Sequence, residues 1–146
     1  MNILIDTNVM LDYLCQREGF CEASNKIMEM CAKENISGFI AAHSVLNAYY
    51  ILRNEYTDNE RKEILLKYIE VVDVVNVLRK DIEDCLSNAE FTDMEDCLQD
   101  ICAVSCDAQY IITRNIKDFQ QSKTQAILPE DFIKLMEKHL NMNETG

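Results

Sequence analysis

Glycine and proline are almost missing from this chain, whose 146 residues hold three glycines and one proline. That scarcity excludes the Gly-x-Gly-x-x-Gly turn and the P-loop, so a nucleotide cradled by backbone amides is not expected. It also leaves no composition for a flexible linker, and no internal repeat or low-complexity segment is present. No apolar stretch approaches the roughly 18 residues needed to span a membrane. The first apolar run is broken by Asp6 too early for a secretion signal, which makes the expected location cytoplasmic, without a membrane partner. Cys-x-x-Cys pairs are lacking too. Seven cysteines, an odd number, argue against a disulfide framework or a zinc ribbon. Cys97, Cys102 and Cys106 share one predicted helix and read as small core residues.

Basic residues are also few. Fourteen Lys and Arg face 26 Asp and Glu, a formal charge of −12. A phosphate-gripping protein usually carries a basic stripe, whereas this long-range field repels nucleic acid. Two readings remain: acids concentrated in a cation site, or a surface that awaits a basic partner.

What is there points to one domain over 1–146, globular over 1–140 with a disordered tail at 141–146, large enough to bury about two-thirds of its unfolded surface. Apolar strand candidates are 3–5, 38–41, 73–77 and 110–113, with a weaker one at 126–128. Helical periodicity fills 7–16, 21–34, 43–55, 59–71, 80–89, 94–106 and 130–140. Thr57 with Glu60, and Thr92 with Glu95, match the capping box, and Pro129 suits the first turn of the last helix. Strands alternating with helices predict a parallel α/β sheet covered on both faces.

Three acidic loci stand out. Ile3-Leu4-Ile5 stops at Asp6, and the carboxyl end of a buried parallel strand is where open α/β sheets bind ligands. Asp6 or Thr7 also suits the N-cap of the following helix. In Asp93-Met94-Glu95-Asp96-Cys97-Leu98-Gln99-Asp100, the capping box accounts for Glu95 and the helix dipole for Asp93. Asp96 has neither explanation, and shares a face with Asp93 and Asp100, a cost that a cation would relieve or solvent would absorb. The third locus, Arg114-Asn115-Ile116-Lys117-Asp118-Phe119, leaves the strand Tyr110–Thr113 at the same sheet edge, where Asp118 is either a site acid or a turn residue.

Other residues read more plainly. His43 and His139 are ordinary imidazoles, and Met28, Met30 and Cys31 are core and surface filler. Asp12, six residues past Asp6, points elsewhere and lies on the surface. Tyr49 and Tyr50 divide between core and a dimer or partner surface, with stacking on RNA bases as the other reading. Arg114 and Lys117 flank the third locus as the best phosphate contacts.

Taken together, Ile5-Asp6-Thr7-Asn8, then Glu95-Asp96-Cys97-Leu98 with Ala103, then Ile112-Thr113-Arg114-Asn115 with Asp118-Phe119, resemble a PIN-domain protein in order and spacing over nearly the whole chain. Gly38–Asn47 followed by Ala48-Tyr49-Tyr50-Ile51-Leu52-Arg53 resembles one branch of that family. The resemblance implies a three-layer sandwich with a central four- or five-stranded parallel sheet flanked by helices, the fold of many metal-dependent ribonucleases including VapC-like toxins. It implies Asp6, Asp96 and Asp118 as catalytic and metal-binding acids, with Asn115 the alternative to Asp118. Asn8 would orient Asp6, and Thr113 would hydrogen-bond in the site. Asp93 and Arg114 complete the surroundings. Asn47 falls where the family carries its second acid, and an amide supplies neither charge nor a base.

Mg²⁺ and Mn²⁺, hard ions that bind through few carboxylates, suit such a set. The expected function is an endoribonuclease acting on RNA, possible toxin to a basic antitoxin, and a homodimer. The rival is a PIN-fold binding or regulatory module weakened by Asn47 and Asn115. A receiver domain fits less well, because one carboxylate ends the first strand and Thr-Arg-Asn, not lysine, ends the last.

Overall fold

The computed structural model describes the backbone of residues 1–145 and the side chains of residues 1–143. Its centre is β1 (Asn2–Ile5), where Ile3, Leu4 and Ile5 are all essentially inaccessible. A strand with both faces covered needs such an unbroken apolar run. Alternation sends Ile3 and Ile5 into the larger core and Leu4 into a second core on the opposite face.

Around it lie β2 (Ser37–Ala41), β3 (Asp73–Val75), β4 (Tyr110–Ile112) and β5 (Gln125–Ile127), in the spatial order β3-β2-β1-β4-β5 with every pairing parallel. The helices are α1 (Thr7–Leu14), α2 (Cys21–Ala32), α3 (Ala42–Ile51), α4 (Asp58–Val71), α5 (Arg79–Ser87), α6 (Met94–Ser105) and α7 (Pro129–Thr145). Short 3₁₀ turns occupy Leu52–Asn54 and Ile116–Phe119. The expected three-layer α/β sandwich is therefore present, with five strands.

The chain builds outward from β1 through β2 to β3, then returns to lay β4 on the other side of β1. Strand order thus reverses between β1 and β4, the point at which open α/β sheets leave a crevice. Asp6 and Thr113 are the next residues after these two strands, and they stay in register: Asp6 N–H donates to the Ile112 carbonyl at 3.0 Å and Thr113 N–H to that of Ile127 at 3.0 Å.

Several expectations shift in detail. The strand expected over 73–77 pairs only at Asp73–Val75, and the helix expected over 43–55 tightens after Ile51. The disordered tail expected over 141–146 is helical as far as Thr145, because nothing between Pro129 and Thr145 breaks a helix. Gly146 lies outside the described residues. Gly38 is required by close approach: a Cβ there would meet Cys31 Sγ at 2.7 Å and Val72 Cγ1 at 3.0 Å, both in the core.

Candidate active site

A cleft of about 380 Å³ opens at the carboxyl edge of the sheet, over the β1/β4 reversal. Asp6, Asp93, Glu95, Asp96 and Asp118 line it, and no lysine or arginine does so among the described residues. The acids come from three distant segments: the end of β1, the first turn of α6 and the 3₁₀ turn after β4.

Asp6 reconciles the two readings of its position, since it is both the N-cap of α1 and a member of the cleft. Oδ1 accepts from Thr7 N–H at 2.8 Å and Oδ2 accepts from the Thr113 hydroxyl at 2.8 Å. Each oxygen keeps a lone pair for another partner. Burial pushes the Asp6 pKa up, the two hydrogen bonds pull against it, and Glu95 and Asp118 add repulsion. Thr113 thus bonds within the site as expected. Asn8 lines the cleft, but the groups that orient Asp6 are Thr7 and Thr113.

The first turn of α6 departs from the expected capping box. Asp93, not Thr92, is the N-cap, accepting from Asp96 N–H at 3.1 Å. Asp caps as well as Thr and adds a charge that the helix dipole favours. The frame moves by one residue, and Glu95 is released from the cap. Its Oε1 instead accepts from Asn47 Nδ2 at 3.0 Å and from the Thr7 hydroxyl at 3.4 Å. Glu95 is the site residue that the sequence reading missed. The position expected to lack an acid, Asn47, holds by its amide a carboxylate supplied from another helix.

Below Glu95 runs a buried polar chain. Gln99 Nε2 donates to the Thr7 and Ser44 hydroxyls, each at 3.2 Å, and those hydroxyls lie 2.7 Å apart. A glutamine fully buried among Cys97, Leu98, Cys102 and Ala103 was the available signal. Asp100 faces away from the cleft, accepting from the backbone N–H groups of Lys123 and Thr124 to anchor the approach to β5.

Asp118 lines the cleft while the adjacent Phe119 packs into the core, and Asn115 lines it as well. Arg114 does not face a phosphate site. Its Nε and Nη2 bind Asp12 at 2.8 and 3.1 Å, and its guanidinium lies over the Phe20 ring at 3.9 Å. Asp12, expected at the surface, is only 1% exposed and also meets Arg17 at 3.4 Å. Arg114 is thus committed to a structural latch with the buried Asp12 carboxylate. Lys117 is exposed on the 3₁₀ turn and outside the cleft lining. His43 is half-buried with neither ring nitrogen hydrogen-bonded. Burial lowers its pKa, against the pull of Glu95.

The acids act on one another. Asp96 is pushed up to about 7, first by burial, then by Asp93, Asp118, Asp6 and Glu95. Oxygen donors alone, in excess of any cation, are the chemistry that a hard divalent ion requires. Among the described residues, no three acidic, histidine or cysteine side chains converge closely enough to enclose an ion as they stand. The donor set fits such an ion in type, and closing on it would draw the acids together.

This yields a pH dependence. Between its ordinary value of 3.8 and about 7, Asp96 holds a proton in the native state that the unfolded chain has released. Stability of the metal-free protein is therefore expected to fall as pH rises through that window and level off above it, with Asp6 acting in the same direction. Melts in EDTA across pH 5 to 8 test this. Stabilisation by Mn²⁺ should grow over the same range, because an ion must displace the proton. A metal-free melting temperature that rises across the window would refute the shift.

Sequence and structure comparisons identify the family and the fold. The PIN domain model matches residues 2–117, and the chain belongs to the PIN domain family. In solved structures it is similar to a chain of VapBC2 from Rickettsia felis, bound to a DNA fragment from their promoter, at 14% identity, TM-score 0.65, covering 88% of this chain and 98% of that one. It is similar to VapBC-1 from nontypeable Haemophilus influenzae at 17% identity and TM-score 0.63, covering 89% and 99%. FitAcB from Neisseria gonorrhoeae follows at 16% identity and TM-score 0.58, covering 87% and 97%. No curated protein sequence is similar enough to count as a relative. Among the described residues no helix is long and apolar enough to cross a membrane.

Proposed function

We propose that this protein is an endoribonuclease that hydrolyses RNA phosphodiester bonds with Mg²⁺ or Mn²⁺. The observation that carries the reading is the meeting of Asp6, Glu95, Asp96 and Asp118 in one cleft at the strand-order reversal. Asp6, Asp96 and Asp118 would hold the ion, with Glu95 as a fourth acid in the place that Asn47 leaves neutral. Such an ion lowers the pKa of bound water and neutralises charge that builds on the phosphate during in-line attack.

The chain's own groups prepare for this. Thr7 N–H and the Thr113 hydroxyl fix the Asp6 carboxylate. Asn47 and Thr7 fix Glu95, and the Gln99–Ser44 pair beneath them holds the Thr7 hydroxyl in place. Asp96 would give up its proton when the ion binds and complete the ligand set. The acidic surface, and the VapBC and FitAB assemblies among the structural neighbours, favour a toxin paired with a basic antitoxin. A single domain, a homodimer and a cytoplasmic setting complete the proposal.

Two observations favour a second reading, a PIN-fold binding module with weakened catalysis: Asn47 is neutral, and no three acidic, histidine or cysteine side chains converge among the described residues. Incubation of the purified chain with single-stranded RNA, with Mg²⁺ or Mn²⁺ and then with EDTA, separates the two. Internal cleavage that EDTA stops is the expected result, and RNA that stays intact with either ion favours the module.

A further inference from the structure

The last turn of α3 brings two adjacent tyrosines to different fates. Tyr49 is built into the junction with α4: its ring lies against the Arg61 guanidinium at 4.0 Å, its hydroxyl meets Asp58, and Arg61 Nη1 reaches its carbonyl at 2.9 Å. Tyr50 instead lines the acidic cleft and is 62% exposed. Arg53 lies over its ring with Cζ 3.6 Å from the centroid, and Arg53 Nη1 donates to the Tyr50 carbonyl at 2.8 Å. The guanidinium is thereby held over the ring beside a cleft that, among the described residues, no lysine or arginine lines.

A cleft of carboxylates repels the substrate that the proposed reaction requires, so the strand needs an attachment that does not depend on the acids. An aromatic ring stacked with a planar guanidinium offers one, because unpaired bases stack on aromatic rings and on arginine planes. Bases inside an A-form duplex are stacked on one another and present no free face. We propose that Tyr50 and Arg53 form a stacking platform for an unpaired base of the RNA strand beside the acidic cleft. This rests on the ribonuclease reading above. Leu46, 71% exposed one turn earlier on α3, would also suit a protein partner. The position of Tyr50 decides for RNA: its ring lines the same cleft as the acids and Leu46 does not, so a base stacked there would bring the adjoining phosphate to them.

The test uses a fluorescein-labelled single-stranded RNA oligonucleotide with Mn²⁺, in an Asp6→Asn background that prevents cleavage. Tyr50→Ala is expected to weaken binding about 10-fold or more, and Tyr50→Phe to retain it, because stacking needs the ring and not the hydroxyl. Arg53→Ala should weaken binding and lower the slope of log affinity against log salt by about one. Affinity for the same sequence as a duplex should be unaffected by Tyr50→Ala. The Tyr50 side chain is exposed, so a matching circular dichroism spectrum is expected to verify the fold of each variant. Unchanged single-strand affinity in Tyr50→Ala, or equal loss in Tyr50→Phe, overturns the proposal and leaves the Leu46–Tyr50 face to a protein. If the native chain cleaves no RNA while the binding pattern holds, the platform stands and the catalytic reading alone fails.

Discussion

Asp6→Asn and Glu95→Gln are each expected to lower Mn²⁺-supported RNA cleavage about 100-fold or more, because each removes a charged oxygen donor while preserving shape. Neither change should unfold the protein. Asn caps helices as well as Asp, so α1 keeps its start. A glutamine oxygen still accepts from Asn47 and Thr7, as Glu95 Oε1 does at 3.0 and 3.4 Å. Without metal the effect should run the other way. Glu95 is among the charges that hold Asp96 up at about 7, so Glu95→Gln should lower that value and flatten the fall in stability with pH. Single-turnover cleavage and paired melts in EDTA and Mn²⁺ measure both halves. Full activity in Glu95→Gln would reduce Glu95 to an acceptor that secures the Asn47 amide.

Arg114→Ala is expected to destabilise the fold by about 3–5 kcal/mol, because it abandons a buried carboxylate. Asp12 is 1% exposed and would retain only Arg17, at 3.4 Å in place of the bidentate contact. The reverse change should cost less. Asp12→Ala leaves Arg114 and Arg17, whose side chains are 26% and 33% exposed and can take up water, so about 2 kcal/mol is expected. Urea melts of the two single variants and the double variant give the coupling directly. A double variant near the weaker single one would show that the pair acts as a unit. Equal costs for the two single variants would mean that burial at Asp12 carries no penalty. Arg114 precedes the segment that bears Asn115 and Asp118, so Arg114→Ala should also weaken Mn²⁺ binding.

The sequence made the sheet readable because a parallel strand buried on both faces announces itself, as Ile3-Leu4-Ile5 and Tyr110-Ile111-Ile112 do. Asp6, Asp96 and Asp118 drew attention by their places at strand ends or the lack of a local explanation, but a cap, a solvated face and a turn residue stayed open for them, and only the family resemblance joined them as one set. Glu95 was hidden by a local explanation that was itself sound: Thr92 can cap with Glu95 as its partner, and only the choice of Asp93 as cap frees the carboxylate. Periodicity cannot choose between two good caps one residue apart. Asp12 and Arg114 are separated by 102 positions, and their union is a product of α1 folding against the end of β4. Gln99 stood in plain view as a polar residue in an apolar stripe, but its partners Thr7 and Ser44 lie on other helices.

The double duty of Asp6 bears on how such a chain evolves. A residue that only served chemistry could be lost freely, and one that only capped a helix would be replaced by any good cap. Asp6 caps α1 and, in the proposed reaction, also serves chemistry, and asparagine, one nucleotide away in the codon table, keeps the cap while discarding the charge. Inactivation at this position therefore carries no folding defect for selection to purge. If the proposed reaction holds, a lineage carrying this fold can pass from enzyme to binding protein by a single mutation, with the cleft and the rest of its architecture inherited intact.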